Sequence, residues 1–326
     1  MIELTAADWP RFRFAHSALW ETIQAVRTLS RPHAQHLHQP WLTRVDQAAV
    51  LAQVPLLAAV NPPVGPAWVP DFLSPPPEHH GLISVEDELA RVAAYPPRFV
   101  RRDIERSLAS QPTPSRARAL QAVIDDPVRG RREFIRQLRL AWQLLAEPFW
   151  PAISRVVGED IAYRTRQASR EGLGASLTGL HPHVSVSDSR IVVSSAAQEQ
   201  VALAGRGLLL MPSVFMGSDV AVVHEPPWPP TLVYAARGIG NLWAAPDQPA
   251  AALAGLIGHS RARLLLDLDA DRTTSTISLR HGLSPATTSA HLKRLAAAGL
   301  VTATRAGKEV RYRRTPLADD LIAASS

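Results

Sequence analysis

The sequence predicts an α+β chain in two parts: a helical and antiparallel-sheet N-terminal domain over residues 1–250, then a smaller domain over 251–326 that runs helix, turn, helix, β-hairpin. Three observations predict it. Apolar residues recur at helical spacing up to about residue 175. The period falls to two between about 180 and 240. Beyond 250, a capping serine, a helical stripe, a terminating glycine and a second alternation follow one another in order.

Arg11-Phe12-Arg13-Phe14 alternates like a short strand. Ser17 is a candidate cap for a helix with Leu19, Ile23, Val26 and Leu29 inward, ended by Pro32. Thr43 to Val60 reads as a second helix, and the proline-rich run 61–81 as loop. Ser84 with Asp87 forms a capping-box pattern. Helices follow over 97–110 and 115–124, then a long run from Pro127 towards Arg170 that Pro148 and Pro151 are placed to kink. One face of that run carries Arg129, Arg131, Arg132, Arg136 and Arg139, a solvated face or a second cationic surface. Strands are expected over 183–186, 190–194, 207–212, 220–224 and 231–236, with short turns that imply antiparallel pairing. Leu208 to Met211 is apolar on both faces and belongs at the sheet centre. Ala245 to Ala251 reads as a linker.

The C-terminal run is the most informative. Ser284 is a good N-cap, Pro285 suits the first helical turn, and Gly299 suits the end. At 100° per residue, Pro285, Thr288, Leu292 and Leu295 share a stripe expected to face the core. Ala286, Thr287, Ala290 and Arg294 lie opposite, flanked by His291 and Lys293. Small residues followed by cations suit a helix that enters a groove and holds phosphates at its edge. Val301 to Arg305 and Val310 to Arg314 then alternate around Ala306-Gly307, a hairpin. Val301, Ala303, Val310 and Tyr312 are expected on one face, Thr302, Thr304, Arg311 and Arg313 on the other, with Arg305 and Lys308 at the tip.

The ordered set Gly282-Leu283-Ser284, Ser289, His291-Leu292, Leu295, Ala298-Gly299-Leu300-Val301, Gly307 and Tyr312 resembles the winged-helix domain of the ArsR (arsenical-resistance repressor) family of bacterial transcription regulators. Trp20-Glu21 and the stretch Gly207-Leu208 to Pro212-Ser213 resemble the long uncharacterised domain ahead of such winged helices in actinobacterial regulators. The resemblance implies sequence-specific binding of double-stranded DNA, a homodimer, and an N-terminal domain for dimerisation or for a small-molecule effector. Ser284, Thr287, Thr288, Ser289 and His291 are the residues expected at the groove. Lys293, Arg294, Arg305, Lys308, Arg311 and Arg313 are those expected on phosphates. Metal-sensing members use cysteines near the second helix of that domain, or His and carboxylates near its last helix. Here 267–277 holds no cysteine, and 317–326 offers Asp319 and Asp320 without histidine, so metal sensing at those places is not expected. His281 stands where the family carries an apolar residue and reads as a neutral core histidine.

Charge agrees with a nucleic-acid partner. From Leu256 onward there are eleven Lys+Arg against six Asp+Glu, +5 of the formal +6, and both lysines of the chain, Lys293 and Lys308, lie there. At 326 residues and 46% apolar composition the chain can build two or three cores. The absence of cysteine excludes disulfides, thiolate metal sites and thiol switches. The start lacks a signal-peptide pattern, and the most apolar window, Val50 to Val60, is too short to span a bilayer, so a cytoplasmic protein without membrane contact is expected.

Other chemistry finds little purchase. Gly174-Ala175-Ser176-Leu177 opens like a nucleophile elbow, but Thr178 replaces the second glycine. Gly205-Arg206-Gly207 lacks the third glycine of a dinucleotide loop and precedes a strand. His33, His36 and His38 have no acidic neighbour in sequence, and His79-His80 and His181-Pro182-His183 read as loop and strand-start histidines. No catalytic residue, metal or cofactor is expected. An enzyme domain fused to a DNA-binding module is the alternative, and an interaction scaffold whose winged helix leaves DNA alone is the third reading.

Overall fold

A computed structural model describes residues 1–31, 36–62, 68–78, 84–187, 190–193, 200–217, 220–243, 249–306 and 309–324. His33, His79, His80, Asp188, Ser189, Ser218, Asp219, Gly307, Lys308 and most of the 245–251 linker therefore lie outside the described residues, as does the side chain of His36. The chain is α+β and divides into two compact units, Met1–Ala235 and Ala236–Ser326. The second unit begins upstream of residue 251 because Gly238 N–H donates to Leu279 O at 2.8 Å. Among the described residues no helix is long and apolar enough to cross a membrane.

In the first unit the helices are α1 (Ala18–Ser30), α2 (Gln39–Leu42), α3 (Gln47–Gln53), α4 (Pro55–Val60), α5 (Val85–Ala94), α6 (Pro97–Ser110), α7 (Pro114–Asp125), α8 (Pro127–Ala141), α9 (Trp150–Glu171) and α10 (Leu173–Leu177). The single helix expected over 43–60 is two. Asp46 caps α3 through Ala49 N–H, and Pro55, which has no N–H to donate, restarts the chain as α4. The expected break in the long run is present: a π turn at Trp142–Ala146 and a 3₁₀ turn at Glu147–Phe149 separate α8 from α9, with Pro148 and Pro151 at the join.

Helix α1 organises this unit. The pattern suggested one inward stripe, yet Glu21, Thr22, Gln24 and Thr28 are buried with the apolar positions. Burial of these polar groups requires partners. Ser17 caps the helix through Trp20 N–H at 3.0 Å. Glu88 of α5 accepts from Ser17 Oγ at 2.7 Å and from the Ala18 and Leu19 N–H groups at 2.9 Å. Glu21 accepts from Ser213 Oγ and Val214 N–H, both at 2.9 Å. The two stretches singled out in sequence, Trp20-Glu21 and Pro212-Ser213, thus meet through a buried carboxylate.

The strands are β1 (Ile2–Glu3), β2 (Arg13–Phe14), β3 (Val184–Ser187), β4 (Arg190–Val193), β5 (Val201–Ala202), β6 (Leu209–Ser213), β7 (Ala221–Val223) and β8 (Thr231–Ala235). They form two mixed sheets, ordered β3-β4-β1-β5 and β2-β6-β8-β7, and not one antiparallel sheet. β1 lies parallel to β5, and β6 lies parallel to both β2 and β8. After β6 the chain skips one position for β7, and β8 then fills the gap. The N-terminal segment supplies the remaining partners, which local alternation does not encode. β6 is buried at every residue and sits inside its sheet, as its two-sided apolar pattern implied.

Glu88 gives the first test. Glu88→Gln places an amide N–H₂ among three donors and keeps one acceptor oxygen. It should lower stability by about 2 kcal/mol, read as a fall in the urea midpoint.

Candidate nucleic-acid interface

The second unit contains α11 (Pro249–Ile257), α12 (His259–Leu266), β9 (Arg272–Thr273), α13 (Thr274–His281), α14 (Pro285–Ala297), β10 (Val301–Ala306), β11 (Glu309–Arg314) and α15 (Pro316–Ala324). β10, β11 and β9 form a three-stranded antiparallel sheet in that order. The core gathers Leu253, Leu264, Leu265, Ile277, Leu292, Leu295 and Tyr312. α13 ends at Gly282, whose φ of 65° is a left-handed value that glycine adopts without strain. Two residues later Ser284 caps α14, accepting from Thr287 N–H at 3.1 Å.

The turn is held from below by one carboxylate. Asp267, just after α12, accepts from Arg280 Nε at 2.7 Å and also from Arg280 Nη2. His281 Nε2 lies 2.9 Å from the same group, and Arg272 Nε donates to the Asp267 backbone carbonyl at 2.7 Å. Burial pushes the Asp267 carboxyl up, but hydrogen bonds from His281 and Arg280 outweigh it and hold the group below its usual value of 3.8. The His281 side chain is therefore a buried imidazole with a specific carboxylate partner.

The expected site residues separate into groups. Ser284 and Thr287 are exposed, their hydroxyl oxygens 2.8 Å apart. Ser289 is half-buried. Lys293 and Arg294 are exposed on the outer side of α14. Thr288 is fully buried with Leu292 and Leu295, so it cannot reach a groove; its place in the site is corrected to the core. Pro285, expected inward, is exposed at the helix start, where the stripe has already left the core. His291 is half-buried; burial, then the charges of Arg261 and Arg294, lower its pKa below the usual 6.5 and favour the neutral ring. Arg261, on α12, was not singled out in sequence, because only the fold brings it to a residue on α14.

On the hairpin, register pairs Thr302 with Arg313, Thr304 with Arg311 and Arg305 with Val310. Opposed residues share a face, so Arg311 and Arg313 stand with the two threonines, and Arg305 stands on the Val310 side. Arg305, Arg311 and Arg313 are exposed. Val301 and Tyr312 pack into the core as expected, but Val310 is 40% exposed and Ala303 is exposed, because the outer half of the hairpin extends past the core. Arg311 lies 3.6 Å from Glu309, an exposed pair that leaves its charge largely available. Arg314 is turned to the domain instead, donating to Leu266 O and pairing with Asp319 at 2.8 Å.

Three of the five arginines on the arginine-rich face of α8 are engaged within their own unit. Arg136 pairs with Glu133, Arg139 with Glu86, and Arg131 donates to Tyr95 O.

Residues 98–240 match the profile of a family of unknown function, DUF5937. The match begins in α6, takes in most of the paired strands and stops before α11. It includes Pro212-Ser213 but not Trp20-Glu21. No curated protein and no solved structure matches the chain.

Asp267→Asn should leave Arg280 and His281 with a neutral partner whose amide NH2 faces one of their donors, and should cost about 3 kcal/mol. The wild-type contribution has a defined sign. A depressed folded pKa gives stability that is complete above 3.8, the unfolded value, and is lost as pH falls through the lower folded value. Urea melts of the full chain at neutral pH and in that acid window, wild type against D267N, should converge at the acid end.

Proposed function

We propose that this chain is a sequence-specific DNA-binding transcription regulator resembling the ArsR family, acting as a homodimer. One observation carries the reading: a serine-capped helix shows Ser284, Thr287, Lys293 and Arg294 to solvent, and a hairpin beside it carries exposed Arg305, Arg311 and Arg313. Order and chemistry suit a winged helix. The outward start of α14 is small and hydroxyl-bearing, as a major-groove surface must be to approach base edges. The cations lie further along and on the hairpin, where phosphates flank the groove.

The homodimer reading draws on two exposed leucines of the second unit, Leu256 at 70% and Leu317 at 57%. They lie on α11 and α15, which pack against each other. Two-fold pairing would bury such residues and present two α14 helices to two half-sites. The first unit serves dimerisation or effector binding in this reading, and the site of action is intracellular because its partner is the chromosome.

The test is electrostatic. Each true phosphate contact adds about 0.9 to the slope of log K against log salt. Arg311→Ala with Arg313→Ala should lower that slope by roughly 2 per protomer and weaken all duplexes about equally. Fluorescence anisotropy with a labelled random-sequence duplex measures it. A normally folded double variant with the full wild-type slope removes the hairpin from the interface.

A further inference from the structure

The first unit contains a cleft of about 510 Å³ between the α3–α4 segment and the start of α7. Leu51, Pro55, Ala58, Ala59 and Ala119 make its lining largely apolar, and Gln111, Thr113, Ser115 and Arg116 are its polar members. The volume is that of a small-molecule site.

Arg116 distinguishes this cleft. It is 4% exposed. Its Nε donates to Ala59 O at 2.7 Å, Nη2 donates to Ser107 O and Ser107 Oγ at 2.9 Å, and Nη1 donates to Gln111 O. Every acceptor is neutral. Among the described residues no carboxylate pairs with it, and burial alone lowers its pKa, with no charge acting in the opposite direction. A buried cation is ordinarily matched by an anion. The carbonyls at the ends of α4 and α6 orient the guanidinium and offset part of its charge. One Nη1 hydrogen has no acceptor among these contacts.

The neighbouring helix end has the same sign. α7 starts here, capped by Thr113 through Arg116 N–H, and carries no acidic residue in its first turn. The positive end of its dipole is therefore met by the Thr113 hydroxyl and by no acidic side chain of its first turn. A buried guanidinium and an acid-free helix start in the lining of a largely apolar cleft fit one ligand chemistry: a carboxylate on an apolar body.

We propose that this cleft binds a small amphipathic carboxylate, its carboxylate beside Arg116 and the start of α7, its apolar body along Leu51, Pro55 and Ala58. The site is independent of the DNA-binding reading and is tested without DNA. Isothermal titration of the full chain with sodium octanoate and sodium phenylacetate is the experiment, with octanamide and phenylacetamide as neutral counterparts. At least one carboxylate should saturate at one per chain with Kd of about 1 mM or tighter, and its amide should bind at least about tenfold more weakly. Ala119→Phe fills the cleft while leaving the Arg116 contacts intact, and should reduce carboxylate affinity at least about tenfold without lowering the melting temperature. Arg116→Gln should do the same if it folds; Ala119→Phe decides the matter if it does not. Lack of saturation by both carboxylates, equal binding of acid and amide, or full affinity in folded Ala119→Phe would each overturn the proposal.

Discussion

The second unit depends on one half-buried carboxylate. Asp267 stands where α12 ends, and it receives Arg280 and His281 from the last turn of α13. Those two residues directly precede Gly282, so the group that fixes them also fixes where the turn begins and hence where α14 starts. Three polar side chains in such a place are tolerable only together, since removal of one leaves the others buried and unmatched. The start of the exposed α14 surface is thus set from the preceding turn, by residues whose side chains are mostly covered.

The first unit uses the same device at other joints. Glu88 gathers the donors at the start of α1, and Glu21 ties α1 to the end of β6. Asp160 and Arg164 of α9 pair at 3.1 Å, and Tyr234 of β8 donates to Asp160 at 2.8 Å, all three fully buried. Each is a carboxylate shared between elements far apart in sequence. Such connections give a helix-rich body with small mixed sheets a defined assembly that apolar contact alone leaves loosely specified.

Local signals carried a good deal of this structure. Ser17, Ser84 and Ser284 cap helices as their patterns implied, because capping involves residues three apart. The hairpin was legible for the same reason. What the sequence hid was non-local. Parallel pairing of β6 with β8 depends on a skipped strand position, and the sheet partners β1 and β2 come from the opposite end of the chain. The burial of Thr288 was partly visible, since it shared a stripe with Leu292, but a threonine near a helix start is equally at home on a groove face. The approach of Arg261 to His291 had no local signature at all.

The second unit exposes a small, hydroxyl-bearing helix start, two cations along that helix, and three arginines on the hairpin that follows it. On the proposed reading, a DNA duplex is the partner that would use all three at once. The most direct measurement is selection of bound sequences from a random double-stranded DNA pool with the full-length protein, followed by sequencing of the enriched fraction. The account predicts a short motif repeated with two-fold symmetry, at a half-site spacing near one helical turn, about 10 base pairs, or a multiple of it. A pool that stays unenriched while the protein remains folded would contradict sequence-specific DNA binding.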